Sequence, residues 1–150
     1  MSLKQQIEQD LKQALLAKDV TKTSTLKMVK SAILNEEIAS GKRDSGLDDT
    51  AIEQLLKKEL KKRTEAAELY QKAGSPERAD QERSEAEVIK QYLPEPMNEV
   101  ELMTIIDTVL AQYDEVAPAL MGKIIGQVRS QTEGRADGGD IARLVKAKLT

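Results

Sequence analysis

An all-α fold is what this 150-residue sequence predicts, with a four-helix part over residues 1–93 followed by a three-helix part over residues 94–150. Three observations lead there. Apolar residues recur at intervals of three and four along most of the chain, and no segment alternates with the period of two that a half-buried strand requires. Charged residues make up 33% and aromatic residues 2%, with no Phe and no Trp, a composition that suits solvated helices. Prolines and most glycines stand where helices need to begin or end.

Each element follows in order. Leu3, Ile7, Leu11 and Leu15, with Ala14 beside them, form one face of a helix over residues 3–18. Lys18-Asp19-Val20 reads as a break. A second helix runs from about Lys22 to Ser40, stopped by Gly41. Its apolar set (Leu26, Met28, Val29, Ala32, Ile33, Leu34, Ile38) is wider than one contact needs and predicts neighbours on two sides. Asp48 or Asp49 can cap a third helix from about Thr50 to Ala73, whose seam is Ile52, Leu56, Leu60, Arg63, Ala67 and Tyr70. Gly74 ends it, and Ser75-Pro76 restarts a fourth helix with Ala79, Glu82, Ala86, Ile89 and Leu93 on the facing seam. So short a loop makes the two helices antiparallel neighbours. Arg63 then sits on an apolar seam and is expected to be held by Glu82 or Glu85, because buried charges persist only when paired.

YLPEPMN, residues 92–98, marks the boundary, since two prolines around one glutamate cannot continue a helix. Asn98 and Glu101 form a capping-box signature for a fifth helix with Leu102, Ile105, Ile106, Val109 and Leu110 apolar. Pro118 opens a sixth helix ending near Gly134, and Asp137 caps a seventh with Ile141, Leu144, Val145 and Leu149 on one face.

The residue types narrow the chemistry. With no Cys and no His, the chain lacks the usual nucleophile–base pairs and the commonest zinc ligands. No catalytic residue, metal site or cofactor is expected. No apolar run approaches a membrane span, and MSLKQQIEQDL lacks the apolar centre of a signal peptide, so a cytoplasmic protein with no membrane association is the expectation.

Charge is unevenly distributed. Residues 1–93 hold 17 basic and 17 acidic side chains, residues 94–120 hold six acidic and no basic ones, and residues 121–150 hold six basic and three acidic. The last of these segments contains MGKIIGQVRSQTEGRADGGDIARLVKAKL. It is no P-loop, because GxxxxGK[ST] is absent, and no dinucleotide fingerprint, because there is no βαβ unit. GRADGGD reads as a tight corner, with Gly134 a left-handed C-cap and Asp137 an N-cap. Gly138 and Gly139 in the first turn leave backbone N–H groups open, and beside Arg135 they suit a phosphate oxygen. Gly122 and Gly126, four apart inside a helix, predict close approach of a neighbouring helix. The stripe Lys57, Lys58, Lys61 and Lys62 is expected to be a solvated face, paired with Glu53 and Glu65 at i,i+4.

Two blocks then resemble the GatB/YqeY family. One is KKRTEAAELYQKAGSPERADQERSEAEVIKQYLPEPMNEVEL, from Lys61 to Leu102; the other is the glycine-containing stretch, with its Met-Gly-Lys … Gly-Arg-Ala-Asp-Gly pattern. The resemblance covers nearly the whole chain. It implies an N-terminal helical domain over 1–93 and a C-terminal domain over 94–150, similar to the tail of the B subunit of the tRNA-dependent amidotransferase. That likeness makes tRNA the implied partner and Lys123, Arg129, Arg135, Arg143 and Lys146 the implied contact face. The kinase-like catalytic portion of that subunit is missing here, so no catalysis is expected of the chain alone. The rival readings are an adaptor for a translation-related protein and a subunit linked to carbon–nitrogen ligase activity with glutamine as donor. The oligomeric state is not fixed by the sequence.

Overall fold

The computed structural model describes residues 1–149, and among these every regular element is helical. The chain divides into two compact units between Leu93 and Pro94.

The first unit holds four helices: α1 (Leu3–Leu16), α2 (Val20–Ala39), α3 (Asp49–Lys72) and α4 (Pro76–Lys90). Local signals set their ends. Ser2 Oγ accepts from Gln5 N at 3.2 Å while Gln5 Oε1 accepts from Ser2 N at 3.0 Å, a complete capping box. Asp19 Oδ1 accepts from Lys22 N at 3.1 Å, so α2 starts at Val20, earlier than periodicity alone indicated. Asp48 caps α3 through Ala51 N at 2.8 Å. At the α3–α4 turn Gly74 has φ 77, the left-handed conformation glycine adopts without strain. Ser75 makes no side-chain cap bond, and the start of α4 rests on Pro76 in its first turn.

The core of this unit is aliphatic, with Ile7, Leu26, Ile33, Ile52, Leu56 and Ile89 fully buried. α2 has neighbours on more than one side, packing against α1, α4 and α3, but not all of its apolar set is covered. Leu34 and Ile38 are exposed, and the inward stripe is Leu26, Val29, Ile33 and Glu37. Leu15 of α1 is exposed as well. Glu37, only 2% exposed, takes the position an aliphatic residue would otherwise fill. Its carboxylate is held by Lys4 Nζ at 2.9 and 3.0 Å and by Leu47 N at 3.2 Å, which fastens the 41–48 connector against α1. At the other end Tyr92 is buried and donates to Asp10 Oδ2 at 2.6 Å, joining the end of α4 to α1. Burial first, and then the Asp10 carboxylate as acceptor and neighbouring charge, push the Tyr92 phenol well above the ordinary tyrosine range. Arg63 sits between Glu82, at 3.3 Å, and Glu85, with Met28 Sδ against the same guanidinium. Its Nε is buried without a partner, so the pairing satisfies charge and leaves one donor unmet.

The second unit holds α5 (Glu99–Leu110), a 3-10 turn (Pro118–Leu120), α6 (Met121–Thr132) and α7 (Gly138–Leu149) around Leu102, Ile106, Val109, Ile124, Val128 and Ile141. Asn98 and Glu101 complete the capping box of α5. Pro118 opens a 3-10 turn instead of α6 itself. α6 stops at Thr132 because Glu133 (φ 51) and Gly134 (φ 79) are both left-handed. Gly122 and Gly126 do not mark a close helix crossing. A Cβ built at either would meet nothing within 4 Å.

Candidate nucleic-acid interface

Of the five candidate basic residues, Arg135 lies in the corner between α6 and α7, Arg129 on the last turn before it, and Lys123, Arg143 and Lys146 farther along the two helices, each in a different environment. Arg135 lies in the corner itself. Its Nε donates to the Glu95 carbonyl at 2.9 Å, its Nη2 is 3.5 Å from Glu101 Oε2, and its carbonyl accepts from Met97 N at 2.8 Å. It therefore pins the 95–101 segment to the corner. The guanidinium expected to face a ligand is largely committed within the unit.

Arg129, on the last turn of α6, is exposed and reaches across to the first residue of α7. A Cβ at Gly138 would stand 2.6 Å from Arg129 Nη2, so the guanidinium occupies the space that glycine leaves. Among the described residues Arg129 meets no carboxylate. A helix N-terminus carries partial positive charge, so a cation there is unfavourable unless an anion joins them. Here the Arg129 guanidinium meets a helix end whose own positive potential is already shared with the Asp137 carboxylate on Gly139 N and with Asp140 in the first turn.

The backbone beside it is less open than the glycines suggest. Gly139 N donates to Asp137 Oδ2 at 3.1 Å, and a Cβ at Gly139 would fall 2.9 Å from that oxygen. Asp137 also closes the first turn through its own carbonyl, which accepts from Ile141 N at 3.0 Å. Of the two glycines, Gly138 gives its space to the Arg129 guanidinium and Gly139 is the capped one.

The remaining basic positions are spread around the two helices. Arg143 Nη2 is 3.7 Å from Asp140 Oδ1 in an exposed i,i+3 pair, weak enough to release the guanidinium to a better anion. Lys146 and Lys148 occupy the last turn of α7, where the helix dipole favours cations, and Lys148 reaches Asp107 on α5 at 3.1 Å. Lys123 lies 5.9 Å from the centre of the Tyr113 ring, whose hydroxyl donates to Gln127 Oε1 at 2.7 Å. Six residues separate Lys123 from Arg129, which turns them about 120° apart around α6. The structure brings Arg129 to Gly138; it does not bring all five cations to one point.

Tyr113 and Asp137 were the residues the sequence undervalued here. An aromatic ring beneath a lysine has no signature in spacing. Asp137 was legible as a cap, and a cap that spends its carboxylate on Gly139 follows from that role. Elsewhere, Lys62 meets Glu59 at 3.3 Å, an i,i+3 partner not anticipated for the α3 stripe.

The comparisons with known proteins add a family. A family model described as "Yqey-like protein" matches residues 4–149. Among curated relatives, the protein named "Altered inheritance of mitochondria protein 41, mitochondrial" of Lachancea thermotolerans is 28% identical over 145 residues, covering 95% of this chain and 76% of that protein. The protein of the same name from Candida glabrata is 31% identical over 125 residues, 81% of this chain and 68% of its own length. That from Eremothecium gossypii is 36% identical over 87 residues, 58% of this chain and 46% of its own length. These names overturn the cytoplasmic expectation, because each of these relatives is designated mitochondrial. The physical reason is plain. The absence of an apolar leader or span bears on secretion and membrane insertion, whereas mitochondrial address segments are amphipathic and basic.

Proposed function

The chain belongs to the YqeY-like protein family, matched over residues 4–149, and from that premise we propose that it is a non-catalytic tRNA-handling protein. Residues 1–93 form its four-helix domain and residues 94–150 a three-helix tail domain that grips phosphate. The observation that carries this reading is the Arg129 guanidinium set against Gly138 at the N-terminus of α7 and held in no ion pair among the described residues. One phosphate oxygen there would meet both the guanidinium and the helix end. Arg143 and Lys146 extend the contact along α7, and Lys123 extends it along α6. Arg135 acts as a positioning residue that holds the corner.

Such a grip reads shape and backbone. The chain has three tyrosines and no other aromatic residue, too few for base stacking to drive binding. The experiment is fluorescence anisotropy of the full chain with total tRNA across a salt titration. Affinity should fall steeply with salt, and Arg129→Gln should weaken binding and flatten the salt slope by about one phosphate contact. No binding at low salt, or an Arg129→Gln variant indistinguishable from the parent protein, would sink the proposal.

A further inference from the structure

The first unit is charge-balanced overall, but its basic residues are not evenly spread. Between residues 11 and 35 there are five lysines (Lys12, Lys18, Lys22, Lys27 and Lys30) and a single acid, Asp19. None of the five meets a carboxylate among the described residues. Asp19 is already engaged as the α2 cap.

This segment is the α1–α2 elbow, and its turn, Ala17-Lys18-Asp19, is flanked by exposed aliphatic residues. Leu15 is 49% exposed, Leu16 85% and Val20 79%, at the end of one helix and the start of the next. The apex is not a frayed end. Ala17 N donates to Gln13 O at 2.9 Å and Asp19 N to Ala14 O at 3.0 Å, so the turn is closed by the chain's own bonds. A shallow cleft of about 340 Å³ lies beside it, lined by Leu15, Lys18, Asp19, Val20, Thr23, Ser24 and Lys27. Aliphatic side chains, two lysines, two hydroxyl residues and the capping Asp19 therefore share one small surface, with the lysines in excess of the single acid.

We infer that the α1–α2 elbow docks onto an anionic lipid surface. Leu15, Leu16 and Val20 enter the headgroup boundary, and the lysines behind them meet lipid phosphates. The composition selects this occupant over two others. Protein interfaces enrich arginine and aromatic residues and deplete lysine, and residues 11–35 contain no arginine and no aromatic ring. Nucleic-acid contact would use the lysines but would leave three exposed aliphatic side chains without a role. Lysine stems lie along apolar surface while their ammonium groups reach the headgroups, which is the behaviour a membrane boundary rewards. This surface is separate in sequence from the α6–α7 corner, so the two proposals stand or fall independently.

The test is co-sedimentation of the full chain with vesicles of phosphatidylcholine alone and of phosphatidylcholine mixed with phosphatidylserine. The parent protein should partition at least about tenfold more strongly onto the anionic vesicles, with added salt weakening it. Lys18→Gln with Lys27→Gln should lower that partition by about fivefold per lysine. Leu16→Ser with Val20→Ser should lower it as well while circular dichroism stays unchanged. Equal binding to both vesicle types, or binding to neither, overturns the inference. Full vesicle binding by either double variant also overturns it, as does a loss in the lysine variant of tRNA affinity alone.

Discussion

The Arg135 side chain donates from Nε to the carbonyl of Glu95 at 2.9 Å, while the Arg135 backbone carbonyl accepts from Met97 N at 2.8 Å. One residue thus holds the 95–97 segment by side chain and main chain together. Replacing Arg135 by Ala should lower the stability of the second unit by about 1 kcal/mol, read by urea denaturation. Arg135→Lys should recover little, because an ammonium cannot serve the carbonyl and Glu101 in the same planar geometry. A stability unchanged in the alanine variant would show that the main-chain bond alone suffices.

Gly138 separates fold from binding. Its φ is not among the left-handed values, and the atom a Cβ would strike is the far end of the flexible Arg129 side chain. Gly138→Ala should therefore leave thermal stability level or slightly raised, since alanine is the better helix former by about 1 kcal/mol in a helix interior and less at its first turn. The same change should displace Arg129 and weaken tRNA binding by severalfold. Loss of stability together with binding would mean that the space at Gly138 is structural.

Glu37→Gln removes the charge that Lys4 and the Leu47 amide share. Breaking a fully buried pair costs about 3–5 kcal/mol. Lys4 keeps 35% of its side-chain surface in water, so about 2 kcal/mol is expected here. The variant's midpoint in a denaturant titration checks this. Amide exchange at Leu47 should quicken as the 41–48 connector loosens.

Tyr92 predicts an alkaline loss of stability. Because its folded-state pKa is raised, its contribution is complete below the ordinary tyrosine value of about 10 and declines as pH rises above it towards the folded value. Tyr92→Phe should cost about 1 kcal/mol at neutral pH through the lost bond to Asp10. It should also flatten the stability curve above the tyrosine range. A curve for the variant that falls as steeply as the parent's would assign the alkaline transition to other groups.

Much of the helical layout was legible because its signals are local. Asp48, the Asn98–Glu101 capping box and Gly74 act within four residues of the ends they set. Arg63 and its two glutamates followed from laying one seam against the other across a short turn. What the sequence concealed depends on distant partners. The Leu26–Val29–Ile33 stripe does continue to Glu37 at helical spacing, and that was the available clue, but Lys4 lies 33 residues away. Leu34 and Ile38 looked like a second buried face because nothing in α2 itself says which of its apolar residues find neighbours. The meeting of Arg129 and Gly138 needs the reversal at Glu133 and Gly134, and two successive left-handed residues leave no pattern in hydrophobic periodicity.

The bond from Tyr92 to Asp10 has a consequence for the order in which the first unit assembles. Its partners stand 82 residues apart, whereas α3 and α4 meet across a three-residue turn. Loop closure favours short spans, so the α1–α2 and α3–α4 pairs, each joined by a three-residue turn, should condense early and dock on each other late. During synthesis the α1–α2 pair then waits for almost the last residue of its unit. Until α3 and α4 emerge, the core face that Ile7 and Leu11 share with Leu26 and Ile33 stays partly uncovered, and the nascent chain should depend on chaperones over that interval.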